Sequence, residues 1–547
     1  MTFTGKPISD VILILWAFSA AFDYLDFIYL WQLKEYRLDL FREFLRSKQG
    51  TGFLRGWRVL WRALFAMAVF TFLRDSFRYD TYTGLHIITL IILCVDLLYN
   101  AHLYRQKKLR RPVVTGKACL ILLTAIGVEA IIILLTKQMN ILLLLLVFRF
   151  SIASGVVLAF RYPTMMMKFW YVGRATKKLK TYPHLQVIGI TGSYGKSSVK
   201  TFLTHILRAR YCVVSTPKNI NTEIGVAKFI LSTDFSSVDI FVCEMGAYKV
   251  GEIKLIAEMV QPNIGIITAI NEQHLAIFGS IENTRDTKFE LVRALPQTGL
   301  AVLNVDNPYI REGEINIENT RIETYGLDEE YDPDCRIVDV SYADRALNLV
   351  YQYRGKTHTL TAEHLSGEHH AHNLAACLIV AAYLGLNDQE IGARVRSVES
   401  PPGTLRIFKV GKATIIDDSY NSNPDGFKAA LYVLAESKSD KRRIVVTRGM
   451  QELGDRSEYL HERIGGEIAY TADELVITKP DHADALKSGV GVKYRTIIRE
   501  IYDFDRLESY LLDRLDEDCI ILLENRLPPH IYRSILNQST HERTNNT

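Results

Sequence analysis

Cysteine is scarce in this chain, and a large charge of one sign is absent. Seven cysteines are spread over 547 residues with no CxxC pair. That spacing argues against a zinc site or a disulfide framework and is typical of a reducing compartment. The formal net charge is only +4. Charge therefore does not indicate a nucleic-acid partner, and we expect none.

Long apolar runs are confined to the first third of the chain. A helix that crosses a bilayer needs about 20 apolar residues. The second run is the weakest candidate, because Arg62 and Arg74 lie within it. No small-residue cleavage site follows the first run, which argues against a removable signal peptide. We predict an all-α transmembrane segment over residues 1–180. The alternative is a buried helical core. The five helices of the transmembrane segment would span 11–31, 59–77, 85–104, 118–136 and 141–160.

The distribution of basic residues predicts an orientation. Lysine and arginine cluster after the first, third and fifth runs, whereas the loops around Asp80 and Gln138 contain few. Positively charged loops stay on the cytoplasmic side of a membrane. We therefore predict a multi-pass protein of the cell membrane, with its amino terminus outside and everything after Arg161 in the cytoplasm.

Several charged residues fall inside or near these runs. Charges in a membrane are energetically costly and have a functional or a pairing role. One interpretation is structural pairing, for example between Glu129 and Arg149. The other is a polar cavity for a lipid-linked substrate. The sequence does not decide between them for the set Asp23, Asp26, Asp96, Glu129 and Arg149.

A glycine-rich turn opens the second part of the chain. The segment VIGITGSYGKSSVK predicts a buried strand, a turn and then a helix. Such a turn directs backbone amides at a phosphate, and the helix start adds partial positive charge. A strict Walker A motif is lacking because Ile190 stands where it has glycine, so the match is to the shorter G-x-x-G-K-S. The predicted nucleotide-binding residues are Thr191, Gly192, Ser193, Gly195, Lys196, Ser197 and Ser198.

The turn TGSYGKSS resembles the phosphate loop of the Mur ligases, which add amino acids to cell-wall precursors with ATP. Later segments resemble the branch that adds D-alanyl-D-alanine. Among them are NINTEIGV from Asn219, EMGA from Glu244 and DDSYNSNP from Asp417. The resemblance extends over about residues 185 to 530. It implies an α/β central ATP-binding domain with a mostly parallel sheet over 181–400, and a Rossmann-like α/β ligase domain over 401–547.

The resemblance also implies roles for single residues. It implies ATP and Mg²⁺ as cofactors, with Asn373 and Arg406 beside the nucleotide. Lys288 would be carbamylated, which turns a cation into an anion. Asn221 and Thr222 would contact substrate, although they fit equally well as a polar turn that caps a helix. The implied metal ligands are Ser197, Glu244, His274 and Lys288. The implied catalytic residues are Lys196, Glu244, His274, Lys288 and Asp418. Asn421 and Asn423 are implied as further substrate contacts.

The chain departs from the family in two places. The domain that binds the UDP part of the precursor has no counterpart here, and the apolar segment stands in its place. The usual K-G-S-R near the end is also absent, and Leu523–Pro528 reads LENRLP instead. Both departures concern the identity of the substrate, whereas the motifs implied in ATP binding are intact.

The resemblance implies an ATP-dependent ligase, and the apolar runs predict that it is anchored in a membrane. It would activate a muropeptide carboxylate as an acyl phosphate and join it to D-alanyl-D-alanine or a similar small amine. The acceptor would be UDP-linked or lipid-linked. Two alternatives are open: a Mur-type ligase with another amide product, such as a poly-amino acid or an amidated precursor, and an ATP-binding membrane scaffold or transport protein without ligase turnover.

Overall fold

The computed structural model describes most of the chain. The described residues are 7–34, 36–46, 50–51, 81–105, 111–136, 141–218, 220–273, 275–314, 320–343, 346–365, 367, 369–419, 422–437, 441–451, 453–491 and 495–545. They divide into two compact units, residues 1–167 and 168–547. The second unit contains both predicted α/β domains, whose boundaries at 180 and 400 stay a prediction.

The regular secondary structure of the first unit consists of helices over its described residues. Of the predicted spans, 59–77 lies outside the described residues, and the other four fall within helices. Three helical stretches, Asp10–Leu33, Gly116–Thr136 and Leu144–Leu179, are long and apolar enough to cross a membrane, by length and composition alone, and a shorter apolar helix covers Thr89–Leu103. The helices are α1 Pro7–Leu33, α2 Leu38–Arg46, α3 Thr81–Arg105, α4 Gly116–Thr136, α5 Ile141–Ala159 and, continuing into the second unit, α6 Arg161–Leu179.

A buried polar network joins four of these helices. The Arg149 guanidinium on α5 lies 2.8 Å from Asp23 of α1 and 3.3 Å from Glu129 of α4. Ser19 donates to Asp96 of α3 at 2.7 Å. The pairing of Glu129 with Arg149 is thereby confirmed, and buried ions need partners of this kind because their desolvation is costly.

The first α/β domain is built on a mixed sheet in which most neighbouring strands are parallel. Over the described residues its strand order is β2-β3-β1-β4-β5-β6-β7-β8-β9, with β7, β8 and β9 antiparallel to one another. The strands are β1 Gln186–Thr191, β2 Val213–Ser215, β3 Ile240–Glu244, β4 Ile264–Ile267, β5 Leu300–Asn304, β6 Arg321–Gly326, β7 Cys335–Ala343, β8 Ala346–Tyr353 and β9 Lys356–Ala362. Nearly every residue of the central strands is buried, as expected of parallel strands covered on both faces.

Helices cover this sheet and connect its strands. A short 3₁₀ turn lies at Glu329–Tyr331. The core beneath α7 and α13 contains Phe202, Leu203, Leu374 and Leu378, all fully or almost fully buried. The helices are α7 Lys196–Leu207, α8 Glu223–Ser232, α9 Glu252–Val260, α10 Leu275–Phe278, α11 Ile281–Arg293, α12 Pro308–Glu314, α13 His369–Tyr383 and α14 Asp388–Arg396.

The second α/β domain has a parallel sheet with one antiparallel edge strand. Over the described residues its order is β10-β11-β15-β12-β13-β14, and β10 runs opposite to β11. The elements are β10 Arg406–Val410, β11 Ala413–Asp418, α15 Pro424–Glu436, β12 Arg442–Thr447, α16 Ser457–Thr471, β13 Glu474–Ile477, α17 Ala483–Val490, β14 Ile497–Glu500, α18 Phe504–Leu515, β15 Cys519–Glu524 and α19 Pro529–Asn545, with 3₁₀ turns at Gly454–Arg456 and Pro480–His482.

Candidate active site

The glycine-rich turn lies between β1 and α7, as the sequence predicts. The helix starts at Lys196, directly after the turn. Gly192 has φ +149°, and a Cβ there would lie 2.1 Å from the Thr268 hydroxyl. Gly195 has φ +81°, in the left-handed region that favours glycine. Both glycines are therefore required by close packing or backbone conformation.

Lys196 folds back over this turn. Its ammonium donates to the carbonyls of Gly192 and Ser193 at 2.5 and 3.0 Å. Burial lowers the pKa of Lys196, and the nearby Glu244 carboxylate opposes that shift. A buried ammonium held by weak carbonyl partners can gain much from a polyphosphate, because it then acquires a full counter-charge.

Glu244 is the centre of a buried cluster at the carboxyl end of β3. Its side chain is only 1% exposed. It accepts hydrogen bonds from the Ser197 hydroxyl and the Asn221 amide, each at 3.0 Å. The Lys200 ammonium lies 2.9 Å from the same carboxylate. Sequence reasoning missed Lys200, although its place one helical turn after Lys196 was a usable signal.

Lys288 of α11 is buried and lines the same cavity. Its side chain is 3% exposed. Burial, and then the charge of Lys196, lower the pKa of Lys288 from 10.5 to about 7. A large share of this amine is therefore neutral near pH 7, and the neutral amine is the form that reacts with carbon dioxide.

Asp418 lies at the carboxyl end of β11, facing the cavity. The backbone N–H of Leu405 donates to its carboxylate at 3.1 Å. Its neighbour Asp417 points to the opposite face, where the Tyr532 hydroxyl donates to it at 2.6 Å. Consecutive side chains on a strand alternate between faces. Only Asp418 of this acidic pair therefore lines the cavity.

Glu524 of β15 lies beside Asp418. The two residues are partners in the parallel register of β11 and β15. Ser422 donates to the Glu524 carboxyl at 2.6 Å. Burial, opposed by the Leu405 hydrogen bond and reinforced by the Asp417 charge, raises the pKa of Asp418 to about 7. Burial and the Asp418 charge also raise the pKa of Glu524.

Side chains from both α/β domains meet next to the glycine-rich turn. The Asn271 amide donates to Asn423 at 2.8 Å and to Asp425 at 3.0 Å. Asn423 also caps α15 by accepting from the Gly426 N–H. A second bridge joins Arg456 to Glu272 at 2.8 Å. These contacts hold the Asn423 turn against the first α/β domain.

The histidines near α13 have separate partners. His372 lies 2.6 Å from the Asp306 carboxylate, and His370 lies 2.9 Å from the Ser400 hydroxyl. Burial opposes ionisation of Asp306, but bonds from His372 and from two backbone N–H groups outweigh it and lower its pKa. Asn373, predicted beside the nucleotide, lies against the turn, since a Cβ on Gly195 would be 2.7 Å from its Oδ1.

These groups line one cavity of about 510 Å³. Its wall includes most of the predicted site residues, together with Thr268, Asp306, His372 and Arg526, which sequence reasoning did not single out. The predicted residues on it are Gly192, Ser193, Gly195, Lys196, Ser197, Ser198, Asn221, Glu244, Lys288, Asn373, Asp418 and Asn423.

Some predicted residues lie elsewhere. Within the described part of the chain, the wall does not include Thr191, Thr222 or Arg406. Thr191 donates to the Met245 carbonyl, and Thr222 caps α8. Arg406 is exposed on β10, with its guanidinium 5.9 Å from the Phe408 ring. His274 and Asn421 lie outside the described residues, and their roles stay predictions.

The donor set around Glu244 fits Mg²⁺. Among the described residues, no three His, Cys, Asp or Glu side chains converge on one point. Mg²⁺ does not need such a cage, because it binds through one or two carboxylates and the oxygens of substrate phosphates. Glu244 with the Ser197 hydroxyl, beside the glycine-rich turn, is a set of that kind.

The fold and the site define a nucleotide-binding α/β protein with two domains around one cavity. Residues 190–381 match the Mur ligase middle domain, and residues 405–524 match the Mur ligase, glutamate ligase domain. The chain belongs to the Mur ligase family through these two domains.

Curated relatives that match this chain bear the name of one branch of that family. The chain is 32% identical over 308 residues to the UDP-N-acetylmuramoyl-tripeptide–D-alanyl-D-alanine ligase of Synechocystis, covering 56% of this chain and 64% of the relative. The corresponding ligase of Bacillus subtilis is 28% identical over 294 residues, covering 54% of this chain and 62% of that enzyme. The chain thus spans just under two thirds of these relatives.

Solved structures share the fold. MurF from Thermotoga maritima, in complex with ADP, superposes with a TM-score of 0.59 at 24% identity, over 70% of this chain and 85% of that one. The agreement confirms the predicted α/β architecture of the second unit at the level of fold.

Proposed function

We propose that this protein is a membrane-anchored, ATP-dependent amide ligase of cell-wall precursor synthesis. It joins D-alanyl-D-alanine, or a similar small amine, to a muropeptide carboxylate. One observation carries the proposal: Lys196, Glu244 and Lys288 from one matched domain and Asp418 from the other line the same cavity. A site that only bound ATP would not need the second domain.

The charges of the first domain suit carboxylate activation. A carboxylate and a triphosphate repel each other, and the Lys196 ammonium on the cavity wall would offset that repulsion. Ser197 and Glu244 would hold Mg²⁺, which when bound supplies a Lewis acid for the phosphate oxygens. Carbamylation of Lys288, favoured by its lowered pKa, would add a further anionic ligand.

The contacts between the two domains suit the second half-reaction. The amine forms the C–N bond with the activated carbonyl, and phosphate leaves. Water would compete with the amine for an acyl phosphate, so the cavity must be closed during this step. The bonds from Asn271 to Asn423 and from Arg456 to Glu272 join the two domains beside the phosphate-binding turn.

The apolar helices support the membrane part of the proposal. Three helical stretches have the length and composition of spans. The relatives are named for a UDP-linked tripeptide substrate. We propose that this chain acts at the cytoplasmic face of the cell membrane on a lipid-linked counterpart of that precursor, because it has apolar helices where the family has its UDP-binding domain.

A different amide product is the second candidate. It is favoured by the segment LENRLP from Leu523 to Pro528, which stands where the family has K-G-S-R. Arg526 lines the cavity. An acid and an arginine at this position change the charge that an incoming amine meets, so its identity can differ from that in the relatives.

The test uses the full chain in detergent with Mg-ATP and D-alanyl-D-alanine. Phosphate release is measured with a UDP-linked and with a lipid-linked muropeptide, and the products are weighed by mass spectrometry. We expect a dipeptide mass gain on the lipid-linked acceptor. Lys196→Met is the inactive control, because it removes the phosphate-binding cation.

Each outcome decides between the candidates. Mass gain on the UDP-linked acceptor alone keeps the ligase and refutes the lipid-linked substrate. Mass gain only with another amine supports the second candidate. ATP binding without turnover on any carboxylate supports the scaffold or transport alternative.

A further inference from the structure

One helix leads from the apolar segment into the second unit. α5 ends at Ala159, and α6 begins at Arg161 and belongs to the second unit from Lys168 onward. In that unit, buried side chains of α6 and of α8 contribute to the same core. They are Val172, Ala175 and Leu179 of α6 and Val226, Ala227 and Ile230 of α8.

Two lysines of α6 bind the two ends of α8. The Lys168 ammonium lies 2.5 Å from the Glu223 carboxylate in the first turn of α8. The Lys178 ammonium donates to the carbonyls of Leu231 and Thr233, at 3.0 and 2.6 Å, where α8 ends. Ten helical residues rise about 15 Å, which is also the length of α8. The two helices therefore run side by side in the same direction and are joined at both ends.

The start of α8 carries a residue of the candidate active site. Asn221, two residues before Glu223, lies on the cavity wall and donates from its amide to the Glu244 carboxylate at 3.0 Å. The Asn221 carbonyl accepts from the Gly246 N–H at 2.8 Å. Thr222, between Asn221 and the helix, caps α8. A displacement of the first turn of α8 would therefore move a side chain of the cavity wall.

The ion pair of Lys168 with Glu223 is well placed to prevent that displacement. The Glu223 side chain is only 10% exposed and that of Lys168 is 25% exposed. Partly buried charges are screened little by salt. Removal of the lysine leaves a carboxylate that is mostly buried and has lost its cation, which is unfavourable. Glu223 can then regain solvation only if the start of α8 moves.

We propose that Lys168 is a positioning residue of the active site. Through Glu223 it holds the turn of Asn221 and Thr222 against Glu244. The helix by which the chain enters the second unit thereby also fixes the side of the cavity where Asn221 is predicted to contact substrate. Lys168 lies before residues 190–381, which match the Mur ligase middle domain. The proposal rests on the ligase function proposed above and adds a residue to its site.

The test compares single variants of the full chain in detergent. Lys168→Met removes the cation, and Lys168→Arg keeps it. Glu223→Gln breaks the same ion pair without leaving a buried charge, so it tests the proposal even if Lys168→Met does not fold. Lys178→Met breaks the contact at the far end of α8, and Lys177→Met changes an exposed lysine of the same helix.

Two quantities are measured for each variant. The first is backbone hydrogen exchange over residues 220–226 in the nucleotide-free protein, followed by mass spectrometry. It reports the mobility of the Asn221 turn and does not depend on activity. The second is kcat/KM for the muropeptide acceptor, taken from the release of phosphate.

We expect Lys168→Met and Glu223→Gln to change both quantities. Exchange over residues 220–226 should be about 3- to 10-fold faster, as for the loss of a partly buried ion pair. The value of kcat/KM should fall by about 10-fold or more, because loss of a group that orients a site residue has an effect of that size. Lys178→Met should speed exchange at residues 228–233 only. Lys168→Arg and Lys177→Met should stay within about 2-fold of the wild type.

Other results would overturn the proposal. If exchange over residues 220–226 were the same in Lys168→Met and Lys177→Met, the ion pair would not hold the Asn221 turn. Equal losses of kcat/KM in Lys168→Met and Lys178→Met would show that only the packing of α6 matters, and a loss in Lys168→Arg as large as in Lys168→Met would exclude the charge as the cause.

Failure of the ligase function would be recognised separately. In that case the wild type releases no phosphate with any acceptor. The exchange measurement then still decides the role of Lys168. Faster exchange over residues 220–226 in Lys168→Met, but not in Lys177→Met or Lys178→Met, supports it, and unchanged exchange refutes it.

Discussion

The two ends of the cavity have the same architecture and opposite charge. Each is the carboxyl edge of a parallel sheet, where open α/β sheets bind their ligands. In the first α/β domain, Lys196 lines the cavity and the Lys200 ammonium lies 2.9 Å from the Glu244 carboxylate. In the second, Asp418 and Glu524 are register partners at the ends of two parallel strands, and Asp418 lines the cavity. The sheet topology determines where a site lies, and the charges of the side chains that line it determine which half of the reaction it can catalyse.

That contrast follows from the chemistry proposed for the first end. Phosphates and a carboxylate carry negative charge and need cations to approach each other. The predictions below test whether the two ends differ in this way, from the largest expected effect to the smallest.

The largest effect should come from Lys200. Lys200→Met removes the cation 2.9 Å from the buried Glu244 carboxylate. Removing one partner of a buried ion pair costs about 3–5 kcal/mol, because the other charge stays buried. We expect a clearly lower thermal unfolding midpoint for the nucleotide-free protein.

Two variants serve as controls for this prediction. Lys200→Met combined with Glu244→Gln should recover most of the lost stability, since no charge then stays unpaired. Lys254→Met removes an exposed lysine paired with Glu258 at 3.8 Å and should change stability by less than about 0.5 kcal/mol. Equal losses for Lys200→Met and Lys254→Met would contradict a special pairing of Lys200 with Glu244.

The next effect should be on turnover. Lys196→Met removes the ammonium that we propose binds phosphate, and loss of one preorganised donor costs about 10²–10³ in kcat. Its stability should change little, because its present partners are two backbone carbonyls. Phosphate release and the unfolding midpoint are measured together. A variant that lost stability but kept its turnover would show that Lys196 is structural.

The site residues of the first α/β domain could be predicted from the sequence because the motifs that contain them are local. The glycine turn, the following helix and the acid at the end of β3 each lie within a few residues of a buried strand. Ser197 and Glu244 were predicted as ligands of one metal ion, and the structure has their side chains 3.0 Å apart. Lys200 could have been predicted in the same way, because the helical period places it one turn after Lys196.

The pair Asp418–Glu524 was not readable from the sequence because it depends on strand order. β15 inserts between β11 and β12 although it is last in the chain. The bonds from Asn271 to Asn423 and Asp425 likewise depend on how two domains meet. Thr222 shows the converse, since its polar side chain serves as a helix cap, the alternative that the sequence had left open.

The two ends should also respond oppositely to pH. The pKa of Lys288 is about 7 in the folded protein and 10.5 ordinarily, so the unfolded chain binds more protons and stability should rise between pH 7 and 10. The pKa of Asp418 is about 7 against 3.8, so the folded protein binds more protons and stability should fall between pH 4 and 7.

Each slope is at most about 1.4 kcal/mol per pH unit for one group. Urea midpoints measured between pH 4 and 10 give both slopes in one series. Lys288→Met should flatten the alkaline rise alone, and Asp418→Asn the acidic fall alone. If either variant flattened both slopes, the two ends would not titrate independently.

The smallest effect should come from the bridge between the domains. Arg456 and Glu272 lie 2.8 Å apart, with side chains 51% and 17% exposed. Exposed ion pairs contribute about 0–1 kcal/mol and are screened by salt. Arg456→Ala should therefore change the unfolding midpoint little, yet raise the KM for the amine, because the second domain approaches the first less often. Wild-type kinetics in high salt should show the same shift in KM. A change in kcat at saturating amine, with KM unaltered, would instead mean that Arg456 acts on the chemical step.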